Sequence, residues 1–267
     1  MIAQQDVKIV LRWCDMKLDN RVAVVTGAGT GMGRAIAELF AAHGAKVVVN
    51  YASSRDAAVS VVEAIQSAGG TAVAVGADVS KDAEAVQLMA SAIHEFGRID
   101  YLVNNAGWST RIPHARMDEL TDEIWDKTLN TNLRGVFYCV RAATPFLQRN
   151  DGSSVVNVSS VASITGQGSS MVYAASKAGV VTMTKSMARA LAPHIRVNVV
   201  LPGFVRTRFA GWPKEQFDSV EKITPLRRLA SVEDVAEATL FLAAVAKGTT
   251  GESLIVDGGM ANLGPSL

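Results

Sequence analysis

Arg21-Val22-Ala23-Val24-Val25-Thr26-Gly27-Ala28-Gly29-Thr30-Gly31-Met32-Gly33 is a short apolar run that ends in a string of glycines. A run without polar alternation reads as a strand covered on both faces, as in a parallel sheet. Met32, Ile36, Leu39 and Phe40 then recur at helical spacing, and Gly44 suits the end of a helix over 32–43. Strand, glycine turn and helix in that order make a cradle for phosphate. Glycine lets the backbone turn tightly and approach a pyrophosphate, and the following helix offers its N-terminus to the negative charge. The spacing is G-x-x-x-G-x-G through Gly27, Gly31 and Gly33, because Met32 stands where the commoner dinucleotide fingerprint has glycine.

The same unit recurs outward from this stretch. Strands are expected over 21–26, 46–50, 73–77, 99–103, 155–158, 195–201 and 254–256. Helices are expected over 54–68, capped by Ser53 or Ser54, and from a cap at Ser80 to about 96. Further helices are expected over 121–148, with Pro145 near the end, over 171–191, and from a cap at Ser231 to about 246. The alternation predicts an α/β fold: a single-domain, Rossmann-type, doubly wound parallel sheet of about seven strands with helices on both faces. No internal repeat, low-complexity tract or Pro/Gly/Ser-rich linker divides the chain, so residues 16–267 read as one dinucleotide-binding and catalytic domain. Residues 204–228 are the least regular. They hold Trp212-Pro213 and Pro225 and read as a mobile substrate lid. Residues 1–15 read as an N-terminal extension, either a misassigned start ahead of Met16 or a short arm that Trp13 anchors.

Composition narrows the function. With 267 residues, 49% of them hydrophobic and 19% charged, the chain can bury one large core, which argues against disorder. A net charge of +1 with scattered lysines and arginines excludes an electrostatic surface for nucleic acid or anionic membrane. Cys14 and Cys139 have neither metal-ligand spacing nor a secreted disulfide pattern, which fits the reduced cytoplasm. No apolar run is long enough to span a membrane, and Asp6, Lys8, Arg12, Asp15 and Lys17 interrupt any signal-peptide layout. His43, His94, His114 and His194 form no zinc-like pair, so no metal is expected. His114 alone lies where a substrate would pass, in the loop after the fourth strand. Cys139, Met183 and Met187 read as packing residues.

The end of the second strand bears on cofactor choice. An acidic residue there binds the adenosine ribose hydroxyls and repels a 2′-phosphate. The sequence is Asn50-Tyr51-Ala52-Ser53-Ser54-Arg55, with no carboxylate before Asp56. Ser53 and Ser54 can donate to a phosphate and Arg55 can pair with it, which favours NADP(H) and leaves NAD(H) possible. Thr30 speaks less for NADP(H) than a basic residue there would.

The reaction is legible in Tyr173-Ala174-Ala175-Ser176-Lys177, where a phenol and an ammonium at i and i+4 share a helix face. A free tyrosine, with a pKa about 10, is a sluggish base near neutrality. A nearby cation stabilises the phenolate and lowers that value, so Tyr173 is expected to give a proton in carbonyl reduction and take one in alcohol oxidation. Ser160, at the mouth of the fifth strand, would hydrogen-bond the substrate oxygen, with Ser159 as its rival.

These pieces together resemble the short-chain dehydrogenase/reductase superfamily, over essentially everything from Lys17 to Asn262. The residues that carry the resemblance are the Thr26–Gly33 turn, Asp78-Val79, Asn104-Asn105-Ala106-Gly107, Asn132, Ser160, Tyr173 to Lys177, and Pro202-Gly203. Within it the chain is most similar to 3-oxoacyl-acyl-carrier-protein reductase-like and polyol dehydrogenase-like members. The resemblance implies a cofactor site made by Gly27, Gly29, Thr30, Gly31, Met32 and Gly33, and by Tyr51, Ala52, Ser53, Ser54 and Arg55. Asp78 and Val79 would hold the adenine, and Asn104, Asn105, Ala106 and Gly107 would steady the sheet near the ribose. Tyr173 and Lys177 would also bond the nicotinamide ribose, and Pro202, Gly203, Val205 and Thr207 would line the carboxamide end. It favours Ser160 over Ser159 by its spacing to Tyr173, and gives Asn132, with Asn130 nearby as rival, a water-holding place in a proton relay with Lys177. Trp108, Thr110, Gln167, Phe204 and the lid would wall the pocket for a small carbonyl or alcohol substrate. Helices at about 121–149 and 171–191 would pair subunits in a homotetramer or homodimer.

Overall fold

The computed structural model describes residues 17–266, so the N-terminal extension at 1–15 lies outside the described residues. The first strand, β1 (Val22–Val25), is buried along its whole length. The chain continues through α1 (Gly31–Ala42), β2 (Lys46–Tyr51), α2 (Arg55–Ser67), β3 (Thr71–Gly76), α3 (Asp82–Phe96) and β4 (Tyr101–Asn104). A long helix follows as α4 (Asp122–Leu129), a π-helical turn (Asn130–Arg134) and α5 (Gly135–Leu147). Then come β5 (Ser154–Val158), a short α6 (Ala162–Thr165), α7 (Met171–Leu191), β6 (Arg196–Pro202), α8 (Lys214–Ile223), α9 (Val232–Leu240), β7 (Ser253–Val256) and α10 (Met260–Leu263).

All strand pairs are parallel, in the order β3-β2-β1-β4-β5-β6-β7. The expected doubly wound sheet is therefore present. Successive strand residues point to opposite faces. Ala23, Val25, Val103, Val156 and Val200 pack under α1, α2 and α9 with Ile36, Phe40, Val61 and Leu240. Val24, Leu102, Val155 and Val199 pack against α3, α5 and α7 with Leu88, Met89, Cys139, Leu147 and Val180. Met183 and Met187 also pack against this second layer. Burial of apolar area, at about 25 cal/mol per Å², is what holds the helices on the sheet.

Local chemistry sets the boundaries. Gly44 takes φ +93° just past α1, the left-handed conformation that closes a helix. Ser231 and Asp234 form a capping box on α9, as the Ser231 hydroxyl accepts from Asp234 N at 3.1 Å and Ser231 N donates back to the Asp234 carboxylate at 2.8 Å. Other expected caps differ. Ser54 precedes α2 without a side-chain cap, and Lys81 rather than Ser80 precedes α3. The Ser80 hydroxyl is instead turned back to Asp78 Oδ1 at 2.7 Å. Pro145 lies inside α5 without ending it. Residues 204–228 are more regular than expected, because α8 fills nearly half of them.

Candidate active site

Parallel strands bring their C-terminal ends to one edge. The strand order reverses between β1 and β4, and the loops leaving these two strands part there, which opens a ligand crevice. A cleft of about 1280 Å³ runs along this edge, from the glycine turn to the lid.

The glycine turn forms one end. Gly27 and Gly31 take φ +60° and +55°. A Cβ on Gly27 would lie 2.9 Å from Ala106 Cα, and one on Gly33 would lie 2.4 Å from Gly27 O and from Asn105 Nδ2. Only glycine admits this approach. The turn is knotted to its neighbours. Asn50 Oδ1 accepts from Gly27 N at 3.2 Å, and Asn105 Nδ2 donates to Thr26 O and Gly27 O, each at 3.0 Å. Thr26 Oγ1 accepts from Asn105 N and Ala106 N, each at 3.0 Å. Gly27, Gly29, Thr30, Gly31, Met32 and Gly33 all line the cleft, as do Asn105, Ala106 and Gly107. Asn104 does not. Its amide donates to Asn157 Oδ1 at 2.9 Å, and Asn157 donates to Thr184 Oγ1 at 2.9 Å, a buried polar chain from β4 through β5 to α7. Its side chain braces the sheet and stays out of the cleft, because it points into the layer beneath.

At the tip of β2, Tyr51, Ala52, Ser53 and Ser54 line the cleft, and Asp78 and Val79 close that end. The Tyr51 ring lies over Gly76, where a Cβ would stand 3.1 Å from its Cζ. The Asp78 carboxylate accepts from Ser80 N at 3.0 Å and from the Ser80 hydroxyl. Arg55 opens α2, is exposed, and does not line the cleft wall. Arg34 lines this end instead, its Nε donating to Glu38 at 2.8 Å. Sequence reasoning passed over Arg34 and Glu38, although their place in the first turns of α1, just past the glycines, was a usable signal.

At the other end, Tyr173 stands on α7 with its ring buried, near Ser160, whose hydroxyl accepts from Ala162 N at 3.1 Å. Ser170 starts α7 by accepting from Tyr173 N at 3.3 Å. Lys177 Nζ donates to Val158 O at 2.8 Å and lies 5.8 Å from the Tyr173 ring centroid. Tyr173, Lys177 and Ser160 all line the cleft. The Ser159 hydroxyl donates to Lys177 O at 2.8 Å, whereas the Ser160 hydroxyl donates to Pro202 O at 3.5 Å, and both residues line the cleft.

Asn132 is fully buried in the π-helical turn, behind the cleft wall. Its Oδ1 accepts from Trp108 N at 2.7 Å, and its Nδ2 donates to Trp108 O at 3.0 Å and to Ser176 Oγ at 3.1 Å. It locks the loop after β4 to α7. Asn130 accepts from Arg134 at 3.0 Å and sits at the cleft surface.

Electrostatics depart from the sequence expectation. Burial pushes the Tyr173 phenol up to about 12, and the nearby Ser160 hydroxyl pulls only partly the other way. Burial also pushes the Lys177 ammonium down, to about 8. Lys177 was expected to lower the Tyr173 value. Desolvation of the phenolate is the larger effect at this depth.

Pro202, Gly203, Val205 and Thr207 line the cleft between the two ends. The Thr207 methyl lies 3.4 Å from where a Gly31 Cβ would stand, so the start of the 204–228 segment packs on the glycine turn. Trp108, Gln167 and Phe204 are walls as expected, and Thr110 is not. The 204–228 segment adds Phe209, Trp212 and Phe217, with Phe204–Trp212 and Phe204–Phe217 ring centroids at 5.3 and 6.1 Å. Lys127 stands 4.5 Å over the Trp108 ring, a contact no sequence spacing announces. His114 keeps Nε2 buried without a hydrogen-bond partner and does not line the cleft.

Residues 27–261 match the family model described as Enoyl-(Acyl carrier protein) reductase. A 3-oxoacyl-[acyl-carrier-protein] reductase of Staphylococcus epidermidis is 38% identical over 244 residues, covering 90% of this chain and 99% of that protein. The chain belongs to the short-chain dehydrogenase/reductase family. Among solved structures, a short-chain dehydrogenase/reductase from Serratia marcescens is 36% identical with a TM-score of 0.84, over 91% of this chain and 99% of that one. A 7 alpha-hydroxysteroid dehydrogenase complexed with NADH and 7-oxo glycochenodeoxycholic acid is 32% identical with a TM-score of 0.85, over 92% and 96%. This short-chain dehydrogenase/reductase is therefore an oxidoreductase of a family that uses NAD(P)(H) on small carbonyl and alcohol substrates. Its cleft fits a dinucleotide: the glycine cradle leaves no space for a Cβ, and the volume extends from there to the Tyr173 phenol. No helix among the described residues is long and apolar enough to cross a membrane.

Proposed function

We propose that this enzyme is an NADPH-preferring reductase of ketones or 3-oxoacyl groups, with Tyr173 as the acid–base. The observation that carries this reading is the grouping of Tyr173, Ser160 and Lys177 in the same cleft as the glycine turn, with Lys177 Nζ 5.8 Å from the Tyr173 ring centroid. The bound cofactor supplies the hydride. Ser160 donates a hydrogen bond to the substrate carbonyl oxygen, and Tyr173 delivers the proton to that oxygen as it becomes an alkoxide. A phenol held near 12 stays protonated at neutral pH, which suits it to the reductive direction. Lys177, protonated near neutrality, makes the tyrosinate left behind easier to form. Asn132 keeps the Trp108 loop against α7 and so holds one wall of the site.

The coenzyme preference rests on the β2 tip. The Ser53 and Ser54 hydroxyls and the Arg34 guanidinium are at hand for a 2′-phosphate, and the tip carries no carboxylate. The Staphylococcus relative, named a 3-oxoacyl-[acyl-carrier-protein] reductase, supports the substrate class. Residues 204–228 act as the lid, and a homotetramer is the assembly we infer, with α4, α5 and α7 at a subunit interface where Trp125 and Phe137 stand exposed.

The test is a panel of ketones and 3-oxoacyl thioesters with NADPH and NADH, alongside Tyr173→Phe. We expect turnover with NADPH, and a loss of about 10²- to 10⁴-fold in the variant with melting temperature and NADPH affinity unchanged. Tighter binding of NADH would move the enzyme to an NAD-linked dehydrogenase. Near-normal turnover by Tyr173→Phe would remove Tyr173 from the chemistry.

A further inference from the structure

We propose that Phe209 of the lid is a positioning residue for proton transfer: its ring seats the Tyr173 phenol and shuts bulk water away from it. This rests on the reading of Tyr173 as the acid–base. The Phe209 and Tyr173 ring centroids are 5.8 Å apart at 52°, and Phe209 packs on a small separate cluster of Tyr173, Ala162 and Ala174. The other lid aromatics do something different. Phe204 packs on Trp212 and Phe217, and Trp212 carries Arg111 at 5.9 Å, contacts that hold the lid to itself and to the opposite rim.

The backbone aims Phe209 inward by a conformation a chain does not adopt freely. Ala210 takes φ +58°, ψ 4°, and Gly211 follows at φ +62°. A left-handed alanine is disfavoured by its own Cβ, and such residues persist where the surroundings over-determine them, often at functional sites. Phe209 N donates to Thr207 Oγ1 at 3.3 Å, which ties the ring's anchor to the segment that closes over the glycine turn. A closed lid therefore brings cofactor cradle and proton donor to one place.

The ring also bears on Tyr173 ionisation. The groups facing the phenol are Lys177 on its own helix and the Ser160 hydroxyl across from it. The lid adds Arg208, exposed at the cleft, and Arg206, which Asp218 and Glu221 hold at 2.8 and 2.7 Å; Lys127 stands across the cleft over Trp108. Burial is what holds the phenol near 12, so taking Phe209 away hydrates it and lowers that value.

The experiment compares full-length wild type, Phe209→Ala and Phe209→Leu, with tyrosinate absorbance titrated in each against the same protein carrying Tyr173→Phe. We expect kcat to fall about 10- to 100-fold in Phe209→Ala with the NADPH dissociation constant within about twofold, since a misplaced group costs rate before it costs cofactor binding. Phe209→Leu, which keeps an apolar cover, should recover part of the loss. Tyr173 should ionise at lower pH in Phe209→Ala than in wild type. An unchanged kcat, an unmoved Tyr173 titration, or an equal loss of NADPH affinity would each overturn the proposal. Should wild type reduce no carbonyl compound at all, the acid–base reading fails, and the absorbance titration still judges the Phe209 contact by itself.

Discussion

Lys177→Met removes a buried cation, and the structure gives the size of the consequence. Burial holds Lys177 near 8 against an ordinary value of 10.5. At about 1.4 kcal/mol per unit, the charged side chain destabilises the fold without cofactor by about 3 kcal/mol relative to an uncharged one. Methionine keeps an apolar stem of similar size but leaves the Val158 carbonyl without its 2.8 Å donor. A buried acceptor stripped of its partner costs about 1–3 kcal/mol, so near neutral pH the variant should be level with wild type or up to about 2 kcal/mol more stable. The sign with pH follows from the lowered folded value. Between about 8 and 10.5 the unfolded chain binds more protons than the folded one, so wild-type stability rises with pH through that window. The variant lacks this term, and its advantage should shrink by about 3 kcal/mol across the window. Tyr173, raised to about 12, acts the other way only above its ordinary value of 10.0, so the difference is read below that pH. Urea unfolding of both proteins without cofactor, at a series of pH values from neutral to alkaline, reads this directly. A difference that stays flat with pH would refute the reasoning, whatever the variant does to turnover.

Asn132→Ala leaves the Trp108 amide and carbonyl and the Ser176 hydroxyl without their partner. We expect about 2–4 kcal/mol of lost stability in urea unfolding, and a loss below about 1 kcal/mol would mean that water replaces the carboxamide. Arg34→Ala should weaken NADPH about tenfold while leaving NADH unchanged, and Arg55→Ala should change neither, as read by fluorescence titration of the two cofactors. The reverse pattern would restore Arg55 to the phosphate and remove Arg34.

The sheet was legible because buried parallel strands leave apolar runs and the glycine turn leaves its spacing. The Tyr173–Lys177 pair was legible because a helix brings i and i+4 together. Other features depend on long-range contacts that no local pattern carries. The stretch Asn130-Thr131-Asn132-Leu133-Arg134 contains neither proline nor glycine, so nothing marks the π-helical turn that buries Asn132. Arg34 lines the cleft from α1, far from the β2 tip in sequence, a neighbourhood that only the fold creates. Asn104 and Asn105 are neighbours with opposite directions, one into the buried chain to Thr184 and one onto the glycine turn. The Tyr173 value escaped for a related reason. A sequence shows the nearby cation but not the depth at which both groups lie, and depth decided it.

The order in which the chain builds its cleft has a consequence for how such an enzyme diversifies. The glycine turn, the β2 tip and the Asp78-Val79 corner are all laid down before β4 ends, whereas Ser160, Tyr173, Lys177 and the aromatic lid all come later. The two contributions meet where Thr207 reaches the glycine turn at Gly31. An insertion or exchange within 204–223 can recast one end without untying the Thr26–Asn105–Asn50 knot at the other. Beyond Thr207, the aromatic segment can therefore vary while the ties that hold the glycine turn stay as they are.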